Sequence, residues 1–247
     1  MKNILARGGI EIIAVFLGIT GGLWSEKQSE INKTLEREKT ALVAIKESLI
    51  ADSTAITGII KSIDNEQINT NDFLKHLSKD TTLSLEALNG AVWDLMYFNY
   101  LPQDRSIYES QIQNAGKQII QVDSVSKAIA SVYDFIYKHL DKVFMMQYEV
   151  MSIPTQEAYI SAGGYLDSKR FSITESLDFD QKKMFEKVLN NEQFISQVVM
   201  HYDINFFISE EYQRALRYVR RAIIYIDDYL IEAVSYTHLT LPTNREV

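Results

Sequence analysis

From Ser25 to Asn71 the chain contains no proline and one glycine, Gly58. A stretch of this length without a breaker has few structural options, and its apolar pattern selects one. Leu35, Leu42, Leu49, Ile56 and Ile63 recur every seven residues, and Ile45 and Ile59 fill the intermediate seam. Residues spaced this way share one face of an α-helix, so the segment is expected to be a single amphipathic helix. Two seam positions are polar, Glu38 and Asp52. The same phase runs back through Ile31, Trp24, Gly21, Leu17 and Ala14, with Gln28 a third polar exception. One continuous helix can therefore reach from the N-terminal region through this segment. Polar seam positions weaken a free two-stranded coiled coil. The seam is thus expected to pack against later helices of the same chain, as in a bundle.

Upstream lies the apolar run Gly8–Trp24, "GGIEIIAVFLGITGGLW", which carries one charge, Glu11. At 1.5 Å per residue it extends roughly 25 Å, slightly short of a ~30 Å hydrocarbon core. Arg7 and Glu11 are four apart and share a helix face, so the carboxylate is expected to be paired near the headgroup boundary. Trp24 falls where an interfacial aromatic belongs. A signal peptide is one rival, but no A-x-A-like site follows the run, which leads directly into "SEKQSEINKTLEREKT". A buried core helix is the other rival, but it would need neither the basic start nor the exit Trp. The run is read as an uncleaved membrane anchor. Its basic start favours an N-in orientation in the inner (cytoplasmic) membrane, with the soluble domain in the periplasm. Ala14, Gly18 and Gly22 are spaced by four, a small-xxx-small face suited to a homodimer in lipid, with Glu11 on the same side.

Beyond Asn71 the pattern breaks at "SKDTT", and further helices are expected. They fall at about Leu83–Tyr100, Arg105–Ala115, Val122–Val150, Asp180–His201 and Ser209–Ala233. The stretch from Met151 carries Pro154, Gly163 and Gly164 and reads as an irregular connection. No strand-rich block, repeat or low-complexity tract is evident. The chain is expected to be all-α: an N-terminal transmembrane helix running into a long helix that packs with several further helices as a bundle.

The net charge of −8 and pI near 5.1 argue against nucleic acid as a partner. The absence of cysteine excludes disulfides and thiolate chemistry. There is no Walker loop, G-x-S-x-G or G-x-G-x-x-G. His76, His139, His201 and His238 lack zinc-site spacing and read as surface or satisfied histidines. No cofactor, metal or catalytic residue is expected. The concentrated basic element is "RALRYVRRA". There Arg214, Arg217 and Arg221 share a face opposite Leu216, Val219 and Ile223. They read either as an anion or partner patch or as a solvated face paired with Glu210, Glu211 and other acids.

The tail from Val234, "VSYTHLTLPTNREV", is β-branched and carries Pro242. It resembles a peptide made when sequencing-adapter DNA is translated at the end of a metagenomic contig, and is read as non-native. The preceding helix is expected to stop at Ala233. The segment "GGIEIIAVFLGITGGLWSEKQSEINKTLEREKTALVAIKESLIAD" resembles the start of a bacterial single-pass family, the domain-of-unknown-function 6090 type. Gly9, Glu11, Gly18, Trp24, Lys46, Leu49 and Asp52 would correspond to its pattern. "RSIYESQIQNAGKQIIQVDSVSKAIASVYD" is similar to that family's middle segment, through Tyr108, Glu109, Gly116 and Ile120. The resemblance implies a membrane anchor and a helical domain, and no activity. The expected organisation is an arm at 1–7, an anchor at 8–24, a helical domain at 25–233 and the tail at 234–247. The expected function is a non-enzymatic interaction or scaffold protein that meets membrane lipid and an unidentified protein partner. A ligand sensor with a pocket at Trp93, Tyr97, Phe98 and Tyr100 is the alternative, and a hydrolase the weakest reading.

Overall fold

The computed structural model describes residues 2–110, 119–164 and 181–239, with side chains described for 15–110, 119–164 and 182–232. Among these residues all regular structure is helical. Helix α1, Lys2–Leu77, is one rod about 110 Å long at 1.5 Å per residue. It ends where Lys79 adopts φ 68°, the left-handed conformation usually given to glycine. Asp80 N then donates to the Lys75 carbonyl at 2.9 Å and Lys79 N to that of His76 at 3.1 Å, which closes the last turn. Helix α2, Leu85–Met96, starts at Ser84, whose hydroxyl accepts from Ala87 N at 3.1 Å.

Helix α2 stops at Met96, earlier than its apolar pattern suggested. The following Tyr97–Gln103 segment is not helical, which suits the approach to Pro102. It also leaves the backbone of Asn99 free to bond elsewhere. Helix α3, Ser106–Tyr108, follows and helical structure continues through Ser110; the rest of the helix expected at Arg105–Ala115 lies outside the described residues. Next comes a continuous rod: α4 at Asp123–Ala130, a π-helical turn at Ser131–Ile136, α5 at Tyr137–Met146, a second π-helical turn at Gln147–Ser152, and α6 at Ile153–Ser161. The irregular connection expected over residues 151–179 is thus helical as far as Ser161, and its part from 165 onward lies outside the described residues. Pro154 sits in the first turn of α6, where its missing N–H costs little. Gly163, at φ 95°, supplies the stop.

Helices α7, Gln181–Val188, and α8, Glu192–Leu239, close the chain. Their break lies at Leu189–Asn191, not at the expected 202–208, because the Asn191 side chain caps α8 by accepting from Phe194 N at 2.9 Å. Helix α8 runs through the expected stop at Ala233 to Leu239, since nothing between Val234 and Leu239 is a breaker. Residues 240–247 lie outside the described residues.

Helices α1 and α8 are the antiparallel backbone of the bundle. Phe73 meets Phe194 edge to face at 6.2 Å, and far along both helices Tyr229 reaches Glu38. The seven-residue seam is the buried face of α1: Leu42, Ile45, Leu49, Ile56 and Ile63 are all fully buried. The seam therefore packs inside the chain. Two apolar clusters result. One gathers Leu42–Ile63 of α1, Val125–Met151 of the central rod and Ile208–Ile226 of α8. The other gathers Phe73, α2, Ala158, Tyr159, α7 and Phe194–Val198.

No helix among the described residues is long and apolar enough to cross a membrane. The expected span at 8–24 is helical, but the side chains of residues 8–14 lie outside the described set. Its described part is diluted by Gly18, Thr20, Gly21 and Gly22 and runs into charged residues from Glu26.

Candidate functional site

The described part of the opening run is bare on every side. Phe16 is 65% exposed, Leu17 63%, Ile19 59%, Leu23 61% and Trp24 70%. Among the described residues nothing packs against it. A Cβ added at Gly18 or Gly22 would meet nothing within 4 Å. Glu11 and Ala14, the other members of the expected helix–helix face, have side chains outside the described residues.

The basic stretch divides. Arg214 donates to Glu211 Oε2 at 3.0 Å, and that oxygen also lies 2.8 Å from His139 Nε2, so Arg214 is a paired surface residue. Arg217 is exposed on the same face. Arg221 donates to the Tyr225 hydroxyl at 3.0 Å and lies over its ring, 5.4 Å from the centroid. The opposite face behaves as expected, with Val219 fully buried and Leu216 and Ile223 packed at the core edge.

The interior holds what the sequence reading missed. Glu38 and Asp52, noted as polar interruptions, are buried and each has a designated partner. Glu38 accepts from Gln121 N at 2.8 Å and from the Tyr229 hydroxyl at 3.0 Å. Asp52 accepts a short bond from the Tyr137 hydroxyl. Burial raises the Asp52 carboxyl above its ordinary range against the opposing pull of that bond. Continuing the count of fourteen gives Glu66, also buried, which accepts from Asn99 Nδ2 at 2.9 Å and Ser62 Oγ at 3.2 Å. The signal for Glu66 was available in that spacing.

Glu66 belongs to a buried polar layer between the two apolar clusters. Every element that passes from one cluster to the other changes to polar residues at the boundary. On α1 these are Glu66 and Thr70, and after α2 it is Asn99. On the central rod they are Gln147, Ser152 and Thr155, and on α8 His201 and Asn205. All are at most 5% exposed. Asn99 ties three elements together. Its amide donates to Glu66, its backbone N–H to Gln147 Oε1 at 3.3 Å, and its carbonyl accepts from Tyr212 at 3.1 Å. Asn205 Nδ2 lies 3.1 Å from His201 Nδ1. Glu66 Oε2, Gln147 Nε2, Ser152 Oγ, Thr155 Oγ1 and Asn205 Oδ1 have no hydrogen-bond partner among the described residues. Buried polar atoms of this kind each carry a desolvation cost.

The electrostatics follow from burial. Desolvation raises the Glu66 carboxyl to about 7, with Asn99 and Ser62 pulling it down and Asp94 adding slightly. Desolvation lowers the His201 imidazole to about 4, opposed by the Leu95 carbonyl that its ring faces. Both shifts favour the neutral form of the group, which is what desolvation in a buried layer selects. No three His, Asp or Glu side chains among the described residues form a metal-binding group.

The aromatic residues expected to enclose a ligand lie at the surface instead. Tyr97 is 54% and Tyr100 53% exposed. Phe98 packs against Phe144 at 5.5 Å and Tyr148 at 5.3 Å, and Tyr100 against Phe144 at 4.9 Å. These rings form a patch directly outside the Asn99–Gln147 bond. Trp93, one turn before the end of α2, is half-buried. The chain matches no protein-family model, and no curated protein or solved structure is similar to it.

Proposed function

We propose that the chain is a membrane-anchored, non-enzymatic interaction or scaffold protein of the bacterial envelope, with its bundle held away from the bilayer by α1. One observation carries this reading: Val15, Phe16, Leu17, Ile19, Leu23 and Trp24 are all exposed on a helix that continues into the bundle. Exposed large apolar side chains at this density call for an apolar surrounding, and the described residues of the bundle offer none. The resemblance to the single-pass family of the domain-of-unknown-function 6090 type points the same way. The exposed aromatic patch at Tyr97, Tyr100 and Tyr148 suits a protein partner, since aromatic residues are enriched at the centre of interfaces. The sensor alternative would draw on a different place, the groove described below.

The test is fractionation. The anchored protein stays with inner membranes after carbonate extraction. Recovery in the soluble fraction, with the opening run intact, would remove the anchor. Orientation is read with Ser78→Cys, an exposed position in a chain without native cysteine. An impermeant thiol reagent labels it in intact spheroplasts if the bundle is periplasmic, and only after lysis if it is not.

A further inference from the structure

A groove of about 270 Å³ lies between α4 and α8. Ser124, Lys127 and Ser131 line one side, and Tyr218, Arg221 and Tyr225 the other. We propose that this groove binds a phosphate group carried on a small soluble ligand.

The two helices bring one cation each to opposite walls. Residues 124 and 127 of α4 and 131, the first of the π-helical turn that continues it, repeat at helical spacing along the rod, and residues 218, 221 and 225 along α8, so each wall is one helical face. In a chain of net charge −8, Arg221 lines this groove with exposed Arg217 one turn before it on α8, and Lys127 stands on the opposite wall. Lys127 pairs with Asp123 at 2.7 Å, within its own helix and exposed, a bond of the kind that contributes little and exchanges readily. Asp227, further along α8, is taken by Lys46.

Arg221 is held in place although it is exposed. Its contact with the Tyr225 ring and hydroxyl fixes one side of the guanidinium. The remaining donors are left for a ligand, and a preordered cation loses less entropy on binding. Because the Tyr225 oxygen accepts from Arg221, its own hydrogen is available to a second acceptor. Ser131 donates to the Lys127 carbonyl at 2.7 Å, so its hydroxyl is committed and the Ser124 hydroxyl is the one left to donate.

A phosphate dianion fits two facing cations better than a carboxylate, which carries a single charge. The volume lies just under the ~300 Å³ lower range of ligand pockets, which limits the occupant to a phosphate bearing a small organic group. Height argues against a lipid headgroup. The Glu38–Tyr229 and Lys46–Asp227 contacts place the groove level with about residue 45 of α1. That is roughly 30 Å along the helix from Trp24, whereas a headgroup layer is only ~5–7 Å thick. The exclusion of a headgroup rests on the membrane-anchored reading above, whereas the groove and its two cations do not.

The probe is phenyl phosphate, titrated calorimetrically into the detergent-solubilised full chain. Saturable one-to-one binding is expected. Arg221→Ala and Lys127→Ala should each weaken it about tenfold or more, the usual effect of losing a charge-assisted bond. Both positions are exposed, so the variants keep the fold. Arg214→Ala, on the same helix but paired with Glu211, should change binding less than about twofold. Absence of saturation overturns the proposal, as does an equal loss in Arg214→Ala, which would indicate diffuse charge attraction. A further arm uses the chain reconstituted into phosphatidylcholine vesicles with or without phosphatidylglycerol. Unchanged phenyl phosphate binding is expected; its loss in the phosphatidylglycerol vesicles would replace the soluble ligand with a headgroup.

Discussion

Glu66 and His201 make opposite demands on pH, and their cancellation can be measured. Glu66 holds its proton more tightly in the folded chain, with a carboxyl at about 7 against an ordinary 4.5. Its contribution is fully present below about pH 4.5 and is lost as pH rises through about 7. His201 does the reverse, at about 4 against an ordinary 6.5. Its contribution is fully present above about pH 6.5 and is lost as pH falls through about 4. At 1.36 kcal/mol per pH unit, each amounts to about 3 kcal/mol over its full range. Between about pH 4.5 and 6.5 the two slopes are equal and opposite, so the pair adds almost no pH dependence there.

Removing one member exposes the other. Glu66→Gln keeps the shape of a neutral carboxyl and abolishes its titration. Its unfolding free energy, relative to the parent chain, should rise with pH by about 3 kcal/mol between pH 4.5 and 7. His201→Gln should lose about as much between pH 4 and 6.5, again relative to the parent. The assay is guanidinium unfolding at four pH values from 4 to 7.5, followed by circular dichroism at 222 nm. Taking differences from the parent removes the other carboxylates, Asp52 among them. Two difference profiles of the same sign, or profiles flat within about 0.5 kcal/mol, would refute the claim that this layer is dry enough to hold both groups neutral.

Further outcomes follow from the same geometry. Leu49→Ala, at a fully buried seam position, should cost about 2–5 kcal/mol, whereas Val43→Ala, 43% exposed on the same helix, should cost less than about 1 kcal/mol in guanidinium unfolding. Tyr137→Phe leaves Asp52 buried without its donor and should cost about 1–3 kcal/mol, and adding Asp52→Asn should recover part of that loss in a double-mutant cycle. Lys79→Gly relieves a left-handed conformation and should stabilise by up to about 1 kcal/mol, read as a raised unfolding midpoint. In a bacterial inner-membrane two-hybrid assay of residues 1–30, Gly18→Ile should abolish a self-association signal that exceeds a poly-leucine control; an unchanged signal would exclude the Gly18 face.

The long helix and its buried face were legible because period and burial coincide. A residue such as Leu42 repeats every seven positions for the same reason that it is fully buried. Boundaries were less legible where a side chain from afar decides them. Helix α2 ends at Met96 because the Asn99 backbone bonds to Gln147 and Tyr212, which lie 48 and 113 residues away. The helical reading of Pro154 depends on the wide π turn just before it, which has no local signature. Of the basic stretch, the arginine face was readable. The pairing of Arg221 with Lys127 across a groove was not, because α4 and α8 are brought together only by the core. For His201 the spacing leaves a surface or a satisfied histidine equally open, since its burial is set by elements distant in sequence.

The three buried acids explain why a repetitive seam yields one structure. An apolar stripe repeating every seven residues can slide by a heptad, about 10 Å, and still bury hydrophobic surface. Here Glu38 requires Gln121 and Tyr229, Asp52 requires Tyr137, and Glu66 requires Asn99. A one-heptad slip would set Ile45 and Ile59 against those donors and leave all three carboxyls against apolar groups. Each misplaced acid would then cost about 1–3 kcal/mol or more, on top of the stranded donors. A two-heptad slip restores acids to the first two donor sites but shifts α1 by about 20 Å and uncovers Phe73 from Phe194. The acids weaken the seam locally and exclude its alternatives, as a polar residue does when it fixes register in a helical assembly. Substituting all three with Leu should therefore raise the midpoint of unfolding while broadening the set of α1–α8 pairings. Double electron–electron resonance between labels at Ser53 and Tyr218 would read the result: a single sharp distance in the parent chain and several in the triple variant. One sharp distance in both would show that packing alone sets the register.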